Sequence, residues 1–125
     1  MDNEIVKSIE EMYPQCTDEL MRNFDKAYDL FCKKQADYGD GNIRLGLITE
    51  ESSSTSTRTN QNLLLSQFGV VVRMNDKIQR LMNLYSKQLF NANERTNNES
   101  IEDTCIDIMN YANILLVLIS NKWGK

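Results

Sequence analysis

Residues 99–119 read Glu-Ser-Ile-Glu-Asp-Thr-Cys-Ile-Asp-Ile-Met-Asn-Tyr-Ala-Asn-Ile-Leu-Leu-Val-Leu-Ile, a helix that is apolar on nearly every side apart from one acidic row. A helix of that kind is stable only when other elements surround it. The rest of the chain must therefore supply helices that enclose it. Glu99, Asp103 and Asp107 recur every four residues, and Asn110 follows three later. At about 100° per residue, all four fall within roughly a quarter of the helix circumference. Such a row either meets cations across an interface or lines a wet cleft.

The remaining pattern is helical as well. A first helix over about Asn3–Met12 stops near the only proline, Pro14. Thr17 has the character of an N-cap, with Asp18 and Glu19 suited to the positive end of a second helix. That helix runs to about Ala36, with Leu20, Phe24, Ala27 and Phe31 at helical spacing, and Gly39 and Gly41 end it. A polar connection follows, with a flexible Ser/Thr-rich loop at about 48–58 that suits a lid, a binding loop or plain disorder. The third helix is expected from about Thr59–Asn62 to Phe90, with Val71, Met74, Ile78, Leu81, Tyr85 and Leu89 as its buried stripe and Gly69 as a kink point. Asn91–Asn98 reads as a turn, and the last helix starts at about Glu99. No segment reads as a strand, and no repeat is present. The expectation is one all-α domain over residues 1–125, a bundle of four to five helices.

Composition narrows the chemistry. A chain of 125 residues buries about two-thirds of its unfolded surface in one core. The net charge of −4 and pI near 4.8 argue against binding duplex nucleic acid, which needs a basic face. A local cationic pocket remains compatible with them. The sequence has no histidine, so Ser-His triads and histidine zinc sites are excluded. Cys16, Cys32 and Cys105 are odd in number and widely spaced, which fits small buried thiols in a reducing cytosol. Asp2 and Glu4 precede any long apolar run, which is wrong for a signal peptide. Ile114–Ile119 is too short to span a bilayer. A soluble cytoplasmic protein without a membrane partner is expected.

On the third helix Arg73, Asp76, Arg80, Asn83 and Lys87 fall together, opposite the expected stripe. Helices three and four then carry stripes of largely opposite charge, and an antiparallel pairing brings Arg80 to Asp103 or Asp107. Interhelical ion pairs are the plain reading of these stripes. The acids and amides outnumber the facing cations, however, and Mg²⁺ with a phosphate would complete the balance. Glu99, Asp103 and Asp107 are the candidate metal ligands. Lys33-Lys34-Gln-Ala-Asp37-Tyr38-Gly39, at the end of the second helix, can add lysines for phosphate and a ring to stack on a base.

Three blocks carry a resemblance: Lys34-x-x-Asp37-Tyr38-Gly39; Arg73-x-x-Asp76-Lys77-x-x-Arg80-Leu81-x-x-Leu84; and Glu99-Ser100-x-x-Asp103-Thr104-x-x-Asp107-x-x-x-Tyr111-Ala112. Over about residues 24–120 the chain resembles the phage and bacterial nucleotide-modification-associated domain, whose helical layout is similar to the MazG-like all-α nucleoside triphosphate pyrophosphohydrolases. The resemblance implies a MazG-like bundle acting on or binding a nucleotide in phage nucleotide metabolism, in the host cytoplasm if phage-encoded. A homo-oligomer, dimer or tetramer, is expected from the same resemblance and from the apolar excess of the fourth helix.

Three functions follow. In an Mg²⁺-dependent pyrophosphohydrolase, Glu99, Asp103 and Asp107 hold metal, and Asp76 and Asp107 are the catalytic carboxylates. Arg73, Lys77 and Arg80 then neutralise phosphate, with Lys34, Asp37 and Tyr38 at the nucleotide. A non-catalytic nucleotide binder uses the same pocket to sequester a host immune-signalling nucleotide or to assist DNA-base modification. A helical interaction module uses the stripes only as ion pairs.

Overall fold

The computed structural model describes residues 3–45, 55–90 and 100–125, and side chains in the second stretch from Asn60 onward. The fold is all-α. Four helices follow one another in these stretches: α1 (Asn3–Met12), α2 (Pro14–Tyr38), α3 (Thr55–Phe90) and α4 (Ile101–Ile119). Among the described residues there is no strand, and no helix is long and apolar enough to cross a membrane. Residues 48–54 of the expected loop lie outside the described residues, while 55–58 belong to the first turn of α3.

Pro14 rather than Thr17 opens α2. Tyr13 takes the N-cap position and Pro14 the first helical turn, where a missing N–H costs nothing and the ring pre-sets φ. Thr17 lies inside the helix, its hydroxyl donating back to the Tyr13 carbonyl at 3.0 Å. Gly39, at φ +70°, ends α2 and donates its N–H to the Gln35 carbonyl. α4 starts on a capping box: Ser100 Oγ accepts from the Asp103 N–H at 3.0 Å, and the Asp103 carboxylate accepts from the Ser100 N–H at 3.4 Å.

α4 is the centre of the packing. Among the described elements it touches both α2 and α3, whereas α1 packs on α2. Val70 packs with Ile114 and Leu118, together with Ile43 and Trp123. Two turns along α3, Lys77 meets Asp107, two turns back along α4. The two helices are therefore antiparallel.

The seam of α3 is not the expected stripe. Val71, Ile78, Tyr85 and Leu89 are exposed, while Ser66, Val70 and Leu84 are buried and Met74, Lys77 and Leu81 are half-buried. With Val70, Val71 and Val72 in succession, apolar spacing alone leaves the facing side ambiguous, and contact with α4 decides it. Lys77 thereby lies on the packed side of the helix.

Gly69 does not interrupt α3. It is where the Leu45 side chain approaches the helix so closely that an added Cβ would collide with it. Leu45 is tied there by Ser66, whose hydroxyl accepts from the Leu45 N–H at 2.8 Å and lies 3.3 Å from its carbonyl. The three cysteines are exposed rather than buried, because they sit on faces of α2 and α4 that no other described element covers.

Candidate functional site

Three elements deliver charge to one point. Asp107 projects from the middle of α4 with a side chain only 7% exposed. Lys34, from the last turns of α2, reaches Asp107 Oδ1 at 3.1 Å. Lys77, from α3, reaches Oδ2 at 2.8 Å. Burial pushes the Asp107 carboxyl up, but hydrogen bonds from Lys77 and Lys34 and their charges more than reverse this, leaving it below the usual carboxylate range. Lys33, adjacent in sequence, turns instead to Asp29 on its own helix at 2.8 Å. The two lysines of the motif thus have separate roles: one is a surface pair and one joins α2 to α4.

Beside Asp107 lies a cleft of about 260 Å³ lined by Lys34, Tyr38, Arg73, Asp107, Asn110 and Tyr111. Arg73 donates to the Asn42 carbonyl at 2.7 Å, so its guanidinium also fixes the turn that follows α2. Tyr38 stands at the end of α2 with most of its ring in solvent. Lys34 and Lys77 pair with Asp107, and among the described residues lining the cleft Lys34 and Arg73 are the cations and Asp107 the one carboxylate. An ammonium carries three donors. Lys34 gives one to Asp107 and is half-exposed, so it can also donate to oxygens of an anion in the cleft.

The turn at 39–45 is held from behind by a residue that sequence reasoning passed over. After Ser120, Asn121 adopts φ +54°, and the Asn121 and Lys122 N–H groups donate to the Leu118 and Val117 carbonyls. This Schellman arrangement reverses the chain at the end of α4. The reversal carries Trp123 back into the core, where its ring meets Phe31 edge-on at 6.0 Å. Its indole N–H donates to the Asp40 carbonyl at 2.8 Å. Arg44 closes the loop, donating to the Trp123 carbonyl at 3.2 Å and pairing with Asp40 at 3.2 Å. A lone tryptophan just past an Asn-containing helix end, with Gly124 after it, was the available signal.

The other expected site residues are placed as follows. Asp37 and Asp76 are exposed and do not line the cleft. Arg80 is half-buried one turn beyond Lys77, and the α3 cation seen on Asp107 is Lys77. Asp103 is exposed and serves the start of its own helix. Glu99 lies outside the described residues. Among the described residues, no three acidic or cysteine side chains converge as a metal-binding group.

No protein-family model matches the chain, and neither a curated protein nor a solved structure matches it. Fold and site together define an all-α protein in which a buried carboxylate, clamped by lysines from two helices, forms the foot of a cationic cleft.

Proposed function

We propose that the cleft binds the phosphate groups of a nucleotide. The observation that carries this reading is the pair of cations, Lys34 and Arg73, that line an open cleft in which Asp107, already paired with Lys34 and Lys77, is the one carboxylate among the described lining residues. Phosphate oxygens are the natural partners of such a surplus. Tyr38 at the rim offers a face to the base. The three-block resemblance gives the setting, phage nucleotide metabolism.

Within this proposal two activities differ in what Asp107 does. In an Mg²⁺-dependent nucleoside triphosphate pyrophosphohydrolase, Glu99, Asp103 and Asp107 hold the metal, and Asp76 or Asp107 orients the attacking water. In a non-catalytic binder, Asp107 orders the lysines and the phosphates are simply held. The engagement of Asp107 by two lysines, and of Asp103 by the start of its helix, favours the binder. Asp107, with both oxygens engaged by lysines, would have to change partners to take a metal, and Asp103 would share its carboxylate with the Ser100 N–H.

A thermal-shift panel of nucleotides, with and without Mg²⁺, followed by product analysis, tests both. Ligand at 100 times its Kd adds about 2.7 kcal/mol of stability, a readily measured shift. A shift without turnover selects the binder, and pyrophosphate release selects the hydrolase. If no nucleotide raises Tm, the nucleotide reading is wrong. Asp103→Asn separates the two further: a metal role predicts about a tenfold loss of Mg²⁺-dependent binding, about 1.4 kcal/mol, whereas a capping role leaves affinity unchanged.

A further inference from the structure

One face of α2 carries a row of rings with a cation beside it. Phe24, Tyr28, Phe31 and Tyr38 recur at spacings of four, three and seven, which puts all four within about a quarter of the helix circumference. Lys34 stands at the edge of that row, between Phe31 and Tyr38 along the axis. The expected apolar face of α2 is only partly covered: Ala27 is buried, whereas Leu20 and Phe24 are exposed, as are Tyr28 and Tyr38. Across from Phe24 and Tyr28, α4 supplies Met109, Asn113 and Val117, and the space between the two helices is a largely apolar groove of about 700 Å³. The groove adjoins the cleft at Asp107, because Phe31, Asn110, Ile114 and Trp123 line both.

Size separates the two cavities. The cleft of about 260 Å³ lies below the range of about 300–1,000 Å³ that encloses a drug-sized ligand, and the groove of about 700 Å³ lies within it. Along the axis of α2, at about 1.5 Å per residue, Tyr38 stands about 6 Å from Lys34 on one side and Tyr28 about 9 Å on the other. The cation of this helix therefore has an aromatic surface on each side of it. A mononucleotide has one base for these two surfaces.

We propose that the ligand of the cleft is a phosphate-bridged dinucleotide: its phosphates lie at Lys34 and Arg73, one base lies on Tyr38, and the second enters the α2–α4 groove against Phe24 and Tyr28. The proposal rests on the reading of the cleft as a phosphate site and adds to it the class of nucleotide. Every base has a π-face, so rings accept it whatever its identity. The carboxamide of Asn110, half-buried where the two cavities meet, can donate to and accept from the edge of the second base. An alkyl phosphate is the poorer occupant, since its chain would cover that carboxamide without hydrogen-bonding it.

Isothermal titration calorimetry of the full chain compares three sets of probes: the dinucleoside triphosphates ApppA, GpppG, CpppC and UpppU; the four matching nucleoside triphosphates; and inorganic triphosphate. At least one dinucleoside triphosphate should bind about tenfold or more tighter than its mononucleotide, the contribution of one stacked base. Phe24→Ala and Tyr28→Ala, at exposed positions, should each remove most of that advantage and leave the affinities for mononucleotide and inorganic triphosphate unchanged. Tyr38→Ala should weaken mononucleotide and dinucleotide alike. Phe24→Leu and Tyr28→Leu, which keep apolar bulk without a ring, replace the alanine variants if those lose helical circular dichroism. Three results overturn the dinucleotide proposal while leaving the nucleotide reading standing: no dinucleotide advantage, groove variants that weaken mononucleotide as much as dinucleotide, or dodecyl phosphate that binds as tightly as the best dinucleotide. Binding of none of the nucleotides overturns both.

Discussion

Lys77 on α3 holds its ammonium 2.8 Å from the carboxylate of Asp107 on α4, with side chains 22% and 7% exposed. Lys34 approaches the other oxygen from α2, so one carboxylate joins three helices. In a buried pair the loss of one partner costs more than the pair contributes, because the remaining charge is stranded.

Asp107→Asn should therefore destabilise the fold by about 1–3 kcal/mol; the range lies below that of a fully buried pair because Lys34 is half in water. A double-mutant cycle with Lys77→Met should give a coupling of about 1 kcal/mol or more by urea denaturation. The same cycle on the surface pair Lys33–Asp29 should show no measurable coupling. Equal coupling in both would mean that the Asp107 cluster has no energetic distinction.

Acid should act through the same carboxylate. Its folded pKa is lowered by Lys77 and Lys34 against the opposing effect of burial. The unfolded chain therefore binds the proton first, and stability rises with pH across the interval. The contribution is complete above the unfolded value of about 3.9 and is lost as pH falls through the lower folded value. Below pH of about 4, wild-type stability should fall more steeply than that of Asp107→Asn. Parallel curves would place the acid-sensitive groups elsewhere.

Trp123 should matter to the cleft without lying over the charges. Trp123→Phe keeps the ring beside Phe31 and removes the donor to the Asp40 carbonyl, for a loss of about 1 kcal/mol. Trp123→Ala empties a core position and should cost about 3–5 kcal/mol. Under the proposed nucleotide reading, affinity should fall as well in the phenylalanine variant, because the 39–45 turn that carries Asn42 against Arg73 is released. Unchanged affinity would show that the turn is held sufficiently by Ser66 and Arg73.

The capping box at α4 offers a smaller, cleaner test. Ser100→Ala removes the acceptor for the Asp103 N–H and should cost about 1 kcal/mol. Asp103→Asn should cost less, since its own bond to the Ser100 N–H is 3.4 Å long. Thermal denaturation of both variants gives the ranking.

Much of the architecture is readable from residue order because helical spacing and end signals are local. The boundaries near Met12 and Tyr38 follow from Pro14 and Gly39, with the end of α2 two residues beyond the expected Ala36. The start of α4 is instead set by the Ser100 cap, which the reading of residue order passed over in favour of Glu99. What fails is whatever depends on who the neighbour is. Thr17 has the chemistry of a cap, yet Pro14 suits the first turn better and takes it. The α3 stripe is misplaced by one residue at Val70–Val71, because both are valine and only contact with α4 distinguishes them. Lys34, Lys77 and Asp107 are each identifiable as charged site candidates, but their meeting is a tertiary fact. Trp123 acts through an indole N–H on a carbonyl at Asp40, far away in sequence. No periodicity encodes that contact.

Among the described residues the backbones of α2 and α3 each come close to α4 rather than to one another. α4 follows both along the chain, so synthesis delivers the two outer helices before the element they share. Until residues 101–119 have emerged, the turn after α2 can reach α3 through Leu45 on Ser66 and Asn42 on Arg73, but the apolar seam that both helices share is absent. The shared core of this protein is then completed late, with the arrival of α4, and a nascent chain stalled before that point carries the faces that α4 would cover open to whatever chaperone meets it.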